Sequence, residues 1–208
     1  MRILIADDHS IVRKGLKQIL VEEFPFATIE ETGDAEGLVK KALSQDWDIV
    51  ITDLSMPGRS GLDAISQIKQ QHPKLPILIL SMYPEEQYAM RVLKSGASGY
   101  LSKDMAQEEL VNAVKKVLSG KKYITPTLVE KLALQLGQEN SGAPHEQLSD
   151  REFDVLKLLA AGKSVSEIAA LMSLGSTTIS TYRARIMDKM SLKSNADLTR
   201  YALENKLI

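Results

Sequence analysis

The sequence contains no cysteine, and histidine occurs only three times in 208 residues. The lack of cysteine excludes disulfide frameworks and thiolate metal sites. His9, His72 and His145 do not show metal-ligand spacing, so each is predicted to be a helix cap or a solvated loop residue. Long apolar runs are also missing: residues 3–6 are too few for a signal-peptide core, and no segment approaches a membrane span. We therefore expect a soluble, cytoplasmic protein.

Charge is spread unevenly along a chain whose formal net charge is -1. Residues 149–208 contain nine Lys and Arg against seven Asp and Glu, whereas the remainder contains 17 against 20. The difference is small, but its direction is typical of an acidic half that binds cations and a mildly basic half that meets phosphate backbones. A chain of this length can form two modest domains, each with its own core.

The first part of the chain alternates between short apolar runs and segments with helical periodicity. Residues 11–20 and 110–118, for example, repeat their apolar positions at roughly the 3.6-residue period of an amphipathic helix. Such alternation predicts an α/β fold, in which helices cover both faces of a parallel sheet. The predicted strands are residues 2–6, 28–30, 48–52, 76–81 and 99–101.

A connector follows this alternating region. Residues 121–136 are predicted to form a helix, because Thr125 can cap it and Pro126 suits the first helical position. Residues 137–147 are polar and include two glycines and a proline, so we expect a flexible tether.

The last part of the chain carries helix signals only. Ser149 with Glu152, and Ser164 with Glu167, have the S-x-x-E spacing of a capping box, and Gly162 marks the turn between the two helices. Further helices are predicted over residues 176–190 and 194–205. Four short helices in about sixty residues form a small all-α domain.

Five reactive side chains stand at the predicted strand ends. Asp7 and Asp8 follow the first strand, Asp53 the third, Ser81 the fourth and Lys103 the fifth. The carboxyl ends of parallel strands share one edge, where the carboxylates would repel one another unless a cation, most naturally Mg²⁺, neutralised them. This arrangement suits phosphoryl transfer with Asp53 as the nucleophile. The alternative is structural: Asp7 and Asp8 cap the first helix, and Lys103 pairs with the nearest acid.

Residues 1–120 resemble the receiver domains of two-component response regulators, which have a flavodoxin-like fold with a five-stranded parallel sheet. The resemblance rests on the acid pair, the D-x-x-M-P-G run from Asp53 to Gly58, Ser81, Tyr100 and Lys103. It departs at Asp104, where many receivers have proline. A cis bond without proline costs roughly 2.5–4 kcal/mol, so we expect a trans or locally altered Lys103–Asp104 bond.

The resemblance implies specific roles for these residues. A histidine kinase would phosphorylate Asp53, and Ser81 and Lys103 would bind the phosphoryl oxygens. Tyr100 would swing inward as Ser81 moves. Mg²⁺ would be held by Asp8, Asp53 and the backbone carbonyl of Ser55, with Asp7 assisting.

The third helix of the C-terminal part is basic. It bears Arg183, Arg185 and Lys189, with Lys193 just beyond and Asp188 opposing them. A tight turn between capped helices followed by such a helix is typical of a helix-turn-helix that reads the major groove, although a solvated surface helix has the same pattern.

Residues 148–208 resemble the LuxR-type DNA-binding domain of the NarL/FixJ regulators, through LSDREFDVL, the Gly162 turn, SEIAALM and TTISTYRARIMDKM. Many members have a DNA-contacting lysine where this chain has Ser180. Ser180, Thr181 and Ala184 are assigned to the groove face, and Thr177, Tyr182, Arg183, Arg185, Lys189 and Lys193 mainly to phosphates. The expected core is Val155, Leu156, Leu159, Ile168, Ala169, Leu171, Ile179 and Ile186.

Together the resemblances predict a transcriptional response regulator. Phosphorylation would change the conformation and dimerisation of the receiver and so control binding to promoter DNA. Homodimers would form through a receiver face and again near Asn195, Leu198 and Thr199. A phosphatase of the haloacid dehalogenase class is the enzyme alternative, but it needs an acid at position 55. A receiver that signals without phosphate, and a receiver that occludes the recognition helix, remain open alternatives.

Overall fold

The computed structural model describes residues 1–56, 60–125, 129 and 143–208, with only the backbone at position 86. The chain forms two compact units, Met1–Ala133 and Leu134–Ile208, which are described separately. Among the described residues, no helix combines the length and the apolar character needed to cross a membrane.

The first unit is an α/β fold, as the sequence pattern predicted. Its five parallel strands lie in the order β2-β1-β3-β4-β5. The strands are β1 Arg2–Ala6, β2 Thr28–Thr32, β3 Ile49–Asp53, β4 Ile77–Ser81 and β5 Gly99–Ser102. The helices between and after them are α1 Ser10–Glu23, α2 Ala35–Ser44, α3 Gly61–Gln71, α4 Glu85–Lys94 and α5 Ala106–Leu118.

The three central strands are almost entirely buried. Every residue of β3 and β4 is buried, which explains why these strands are continuous apolar runs rather than alternating ones. Ile3, Ile5 and Ile51 pack with Leu110 and Val114 of α5 in one cluster. Burying each such side chain stabilises the fold by roughly 1.5–3 kcal/mol.

Strand order reverses between β1 and β3, which are neighbours in the sheet although β2 separates them in sequence. Asp53 is the last residue of β3, as predicted, and Asp7 directly follows β1. In open α/β sheets a ligand crevice forms at the carboxyl ends of the strands where the order reverses. The fold therefore places both acids in that crevice.

The prediction of a helix over residues 121–136 is wrong for residues 121–125, which are not helical and belong to the first unit. Tyr123 forms a parallel bridge with Gly99. The amide of Val129 donates to the carbonyl oxygen of Thr125 at 3.1 Å, which is the spacing of a helical bond, but most of residues 126–136, including Pro126, lies outside the described part.

The expectation of a flexible tether is wrong for its final residues. Pro144–Gln147 is a 3₁₀ turn, and Nδ1 of His145 lies 2.8 Å from the Tyr201 hydroxyl oxygen, so His145 is not merely a solvated loop residue. Pro144 favours this local turn by fixing its φ angle. Residues 137–142 lie outside the described part.

The second unit is all α, as predicted. Both capping boxes are present: the hydroxyl of Ser149 accepts from the amide of Glu152, and that of Ser164 from the amide of Glu167. Gly162 ends the first helix at a φ of 83°. The helices are α6 Asp150–Ala160, α7 Val165–Met172, α8 Ser176–Lys189 and α9 Asn195–Glu204.

One predicted core residue of this unit is on its surface. Leu171 is 60% exposed, whereas the other seven predicted core residues are buried. The buried face of α7 runs through Ile168 and Ala169, with Val165 and Met172 partly buried at helical spacing. Leu171 falls outside that face, because it lies two residues beyond Ala169.

Candidate acidic site and nucleic-acid interface

A lysine joins two buried acids at the carboxyl edge of the sheet. Nζ of Lys103 lies 2.7 Å from Oδ2 of Asp53 and 2.6 Å from Oδ2 of Asp7. All three side chains are largely shielded from solvent, and that of Asp53 is only 4% exposed. The strand ends thus bring together residues that are far apart in sequence.

The two carboxylates are oriented by the backbone that follows each strand. The amide of Ser55 donates to Oδ1 of Asp53 at 3.1 Å, and the amide of His9 donates to Oδ1 of Asp7 at 2.8 Å. The other carboxylate oxygen of each acid, Oδ2, contacts Nζ of Lys103. The two oxygens of each carboxylate therefore have different partners.

Burial and ion pairing act in opposite directions on the acidity of these groups. Burial raises the pKa of Asp53 above its usual value, and the contact with Lys103 opposes that rise. For Lys103, burial works to lower the pKa, but the bonds to Asp53 and Asp7 outweigh it, so its pKa is raised. The ammonium therefore stays charged and offsets the repulsion between the two carboxylates.

Asp7, Asp8, His9 and Asp53 together could hold a metal ion, since one potential ligand atom of each lies within 4.8 Å of the others. Carboxylate oxygens suit a hard divalent cation, and the exposed Asp8 keeps one side of the cluster open. The chemistry of this donor set fits such a cation.

His9 was predicted to be a cap or a loop residue, and it does occupy the N-cap position of α1. Its ring also lies against the acidic cluster, with Nδ1 2.7 Å from Oδ1 of Asp8. Adjacency to the acid pair was the only sequence signal for this placement.

Ser81 and Tyr100 both bond to Tyr83, which sequence reasoning did not single out. The hydroxyl oxygen of Ser81 accepts from the amide of Tyr83 at 3.1 Å. Tyr100 is buried, and its hydroxyl donates to the carbonyl oxygen of Tyr83 at 2.6 Å. In this structure the Tyr100 ring is therefore turned inward, toward the loop that follows β4.

The bond after Lys103 is trans, as predicted, since the described residues contain no cis peptide. Residues Lys103–Met105 form a single 3₁₀ turn that leads into α5. A proline is not needed to present the lysine to Asp53.

One face of α8 presents five of the predicted DNA-contacting residues to solvent. Ser180, Thr181 and Ala184 are exposed, as are Thr177 and Arg185. Their three- and four-residue spacing puts them on one side of the helix. Helix α8 also follows α7 after a turn of only three residues, which is the geometry of a helix-turn-helix.

Two of the predicted phosphate-binding residues already have partners within the unit. Nε of Arg183 donates to Oδ1 of Asn195 at 2.9 Å, and Nζ of Lys189 donates to Oε2 of Glu152 at 2.7 Å. Burial works to raise the pKa of Glu152, but Lys189 and the amide of Ser149 outweigh it, so that pKa is lowered. Lys189 therefore anchors the end of α8 to the start of α6.

One of the predicted dimerisation residues is not on the surface. Leu198 is 0% exposed and belongs to the core, because it lies on the inner face of α9. Thr199 donates its hydroxyl to the Ala160 carbonyl oxygen at 3.4 Å, and Asn195 is bound to Arg183. The large apolar side chain that α9 does expose is that of Leu203, at 59%.

Two family models match the chain. The response regulator receiver domain matches residues 3–115, and the family of bacterial regulatory proteins of the luxR type matches residues 146–202. Each match coincides with one of the two compact units.

Whole-length relatives and solved structures agree with the family models. The oxygen regulatory protein NreC of Staphylococcus carnosus is 38% identical over 215 residues, which cover 100% of this chain and 99% of NreC. The response regulator UvrY of Escherichia coli is 32% identical over 208 residues, covering 100% of this chain and 95% of UvrY.

Among solved structures, the RcsB response regulator of Salmonella typhimurium is 30% identical, with a TM-score of 0.71 over 97% of this chain and 96% of that chain. RcsB from Salmonella enterica serovar Typhimurium bound to promoter P1flhDC in the presence of the phosphomimetic BeF3- is 31% identical, with a TM-score of 0.67 and 97% coverage of both chains. The chain therefore belongs to the NarL/FixJ family of response regulators, which join a receiver domain to a LuxR-type DNA-binding domain.

Proposed function

We propose that a sensor histidine kinase phosphorylates Asp53 and that this controls binding of the C-terminal domain to promoter DNA. The observation that carries the proposal is the contact of 2.7 Å between the buried Asp53 carboxylate and the Lys103 ammonium. A nucleophilic carboxylate with a fixed cation beside it suits a reaction that depends on positioning and charge neutralisation.

In the proposed reaction, an oxygen of Asp53 attacks the phosphorus of a phosphohistidine. The bond from phosphorus to the histidine nitrogen breaks, and its electron pair returns to the imidazole, which takes up a proton. Lys103 and the hydroxyl of Ser81 then bind the new phosphoryl oxygens, and hydrolysis by water regenerates the Asp53 carboxylate.

Mg²⁺ is the divalent cation that we propose for the acidic cluster, held by Asp8, Asp53 and the Ser55 carbonyl with Asp7 assisting. When bound, it supplies positive charge to the phosphoryl oxygens. Ser55 stands where a phosphatase of the haloacid dehalogenase class needs an acid, so we propose that the receiver promotes only its own phosphorylation and dephosphorylation.

The output that we propose is binding to double-stranded DNA in the cytoplasm, through α8. Ser180, Thr181 and Ala184 would face the major groove, and Arg185 and Lys193, which are exposed, would contact phosphates. Further phosphate contacts would come from Thr177 and Tyr182. They would also come from Arg183 and Lys189 when these exchange their bonds to Asn195 and Glu152 for phosphates. RcsB has been solved bound to a promoter, which supports the same class of target here.

Dimerisation on phosphorylation is part of the proposal, because a two-fold DNA site is matched by a two-fold protein. A receiver face would form one contact. The surface of α9 around residues 195–203 would form the other, with Leu203 as its exposed apolar residue. The proposed domains are residues 1–120 and 148–208, with a connector between them.

The test selects genomic fragments bound by the full chain after treatment with acetyl phosphate and Mg²⁺, with Asp53→Asn treated in parallel. We expect the wild type to gain the mass of one phosphoryl group and to enrich a set of fragments at least about tenfold over Asp53→Asn, a difference of ~1.4 kcal/mol. Identical binding by the two proteins, with phosphate on the wild type, would show that the proposed control is wrong.

A further inference from the structure

Residues 121–125 leave the first unit beside β5 and pair with it at Tyr123, and we name these five residues the outgoing strand. The amide of Tyr123 donates to the carbonyl oxygen of Ser98 at 2.9 Å, and the amide of Tyr100 donates to the carbonyl oxygen of Tyr123 at 3.2 Å. These two bonds make the parallel bridge between Tyr123 and Gly99. The chain that leaves the receiver thus pairs with the strand that carries Tyr100.

Gly99 is what allows this close approach. A Cβ atom at position 99 would lie 2.8 Å from Cβ of Tyr123 and 2.8 Å from its carbonyl oxygen. Real Cβ contacts are not that short, so any larger residue would push the outgoing strand away from β5. The pairing therefore depends on a residue without a side chain.

The outgoing strand is held at its last residue by the first residue of α4. Oε2 of Glu85 accepts from the hydroxyl of Thr125 at 2.6 Å, and Oε1 accepts from the Thr125 amide at 3.4 Å. We name this pair of bonds the latch. A carboxylate acceptor makes such bonds stronger than neutral ones.

Tyr123 is fixed by side-chain contacts as well. Its hydroxyl donates to Oε2 of Glu109 at 3.0 Å. Burial, helped by Glu109, raises the pKa of Tyr123 to about 12, so the hydroxyl keeps its proton and remains a donor. Tyr123 is thus bonded to Glu109, and Thr125 is bonded separately to Glu85 through the latch.

Both attachments of the outgoing strand lead back to Ser81. Glu85 lies two residues after Tyr83, whose amide donates to the Ser81 hydroxyl oxygen. Tyr100, which pairs with Tyr123, donates its hydroxyl to the Tyr83 carbonyl oxygen. One loop residue, Tyr83, therefore lies between the Ser81 hydroxyl and both attachments of the outgoing strand, at Tyr123 and at Thr125.

We propose that the outgoing strand is a strap that loosens when Asp53 is phosphorylated, with the Glu85–Thr125 latch setting how tightly it is held. The proposal rests on the proposed phosphorylation of Asp53. A new phosphoryl dianion attracts the Ser81 hydroxyl, so the Tyr83 amide loses its acceptor and the start of α4 moves. Glu85 moves with it, and Thr125 loses the two bonds of the latch at the end of the outgoing strand.

The test is hydrogen–deuterium exchange of the full chain, followed in a peptide that contains residues 121–125, with and without acetyl phosphate and Mg²⁺. Intact mass records phosphate on Asp53 in the same samples. We expect phosphorylation of the wild type to speed this exchange about tenfold, as loss of a charge-assisted hydrogen bond would. Glu85→Gln and Thr125→Val should show most of the increase without phosphate, and phosphorylation should then add less than about twofold.

Two further variants complete the test: one is a control that should leave exchange unchanged, and the other loosens the outgoing strand without changing the latch. Glu108 is an exposed glutamate in the first turn of α5, so Glu108→Gln should behave as the wild type. Gly99→Ala should also speed exchange, because it displaces Tyr123 while leaving the latch residues unchanged. Peptides from β1 and β3 should keep their wild-type exchange in every variant, which shows that the receiver is folded.

The outcomes separate this proposal from the proposed function. If Asp53 is fully phosphorylated and exchange at residues 121–125 does not change, the strap is wrong and the phosphorylation stands. If Glu85→Gln and Thr125→Val exchange as slowly as the wild type, the latch is wrong. If no phosphate is found on Asp53, the proposed function fails and the strap fails with it.

Discussion

The two units of the molecule place their charged side chains in opposite ways. The receiver holds Asp7, Asp53 and Lys103 inside, with Nζ of Lys103 within 2.7 Å of an oxygen of each carboxylate. The DNA-binding domain keeps Arg185 and Lys193 on its surface. A phosphoryl-transfer site gains from charges that are already desolvated, whereas binding to a nucleic acid needs cations that can reach phosphates. The difference in placement follows from the difference in task.

Glu152 and Lys189 depart in part from this contrast, because the buried Glu152 carboxylate, 3% exposed, pairs with a Lys189 side chain that is 37% exposed. Their bond of 2.7 Å joins the capping box of α6 to the last turn of α8. A half-buried charge pair therefore ties the last turn of α8 to α6, whereas the Lys103 side chain of the receiver is only 9% exposed.

The largest effect is expected for the buried lysine of the receiver. Lys103→Met leaves the Asp7 and Asp53 carboxylates without their cation, so the free energy of unfolding should fall by about 3 kcal/mol in the absence of divalent cations. Urea unfolding followed by the fluorescence of Trp47 measures this, because Trp47 is the only tryptophan and lies in the receiver. Mg²⁺ should restore part of the loss, since a ligand that binds the folded state stabilises it.

The matched control is Lys115→Met, which removes the exposed ion pair between Lys115 and Glu23. A solvated pair of this kind contributes less than about 1 kcal/mol. Equal losses of unfolding free energy in the two variants would show that the buried ion pairs of Lys103 stabilise the fold no more than a surface pair does.

A smaller effect is expected for Glu152 in the DNA-binding domain. Glu152→Gln keeps the shape of the capping box but weakens the bond to Lys189, so the free energy of unfolding should fall by about 1–2 kcal/mol. Glu167→Gln makes the same change in the exposed capping box of α7 and should cost less. Urea unfolding of the full chain followed by far-UV circular dichroism compares them.

The effect of Glu152 should depend on pH in a defined direction. The pKa of Glu152 is lowered in the folded state, so its contribution is present above its unfolded value of about 4.3 and is lost as pH falls through the lower folded pKa. The difference between the wild type and Glu152→Gln should therefore shrink in acid. A difference that grows as pH falls would contradict this assignment.

The smallest effect is expected on DNA affinity. Arg185→Ala should weaken binding to specific and random DNA alike and reduce the salt slope of binding by about one. Arg183→Ala should change the slope less, because Nε of Arg183 is already bonded to Asn195. Fluorescence anisotropy at several salt concentrations gives both slopes. A loss for Arg185→Ala that is confined to the specific site would mean that it reads bases.

Local sequence signals predicted much of this fold. The apolar, β-branched runs predicted the five strands to within two residues at each end. Central parallel strands are buried on both faces, so they are visible in the sequence as continuous apolar runs. The capping boxes at Ser149 and Ser164 gave two helix starts, because their bonds join residues only three apart. Asp53 could be placed at a strand end for the same local reason.

Features that depend on distant contacts were not predictable in this way. The Glu85–Thr125 bonds span 40 residues, and the Lys189–Glu152 bond spans 37. Leu171 and Leu198 show the same limit, since both are leucines on amphipathic helices and only the packing shows that one is exposed and the other buried. Periodicity indicates that a helix has an apolar face, but the neighbouring helices decide which residues that face includes.

The pairing of the outgoing strand with β5 also determines where the receiver can be cut. A chain that ended after Leu118, close to the end of the family match, would lose the partner of the Tyr100 amide and of the Ser98 carbonyl oxygen. An unpaired strand edge is a template for association with other chains. A receiver shortened in this way would tend to aggregate through β5, whereas one that includes residue 125 would carry its own protection against edge-to-edge association.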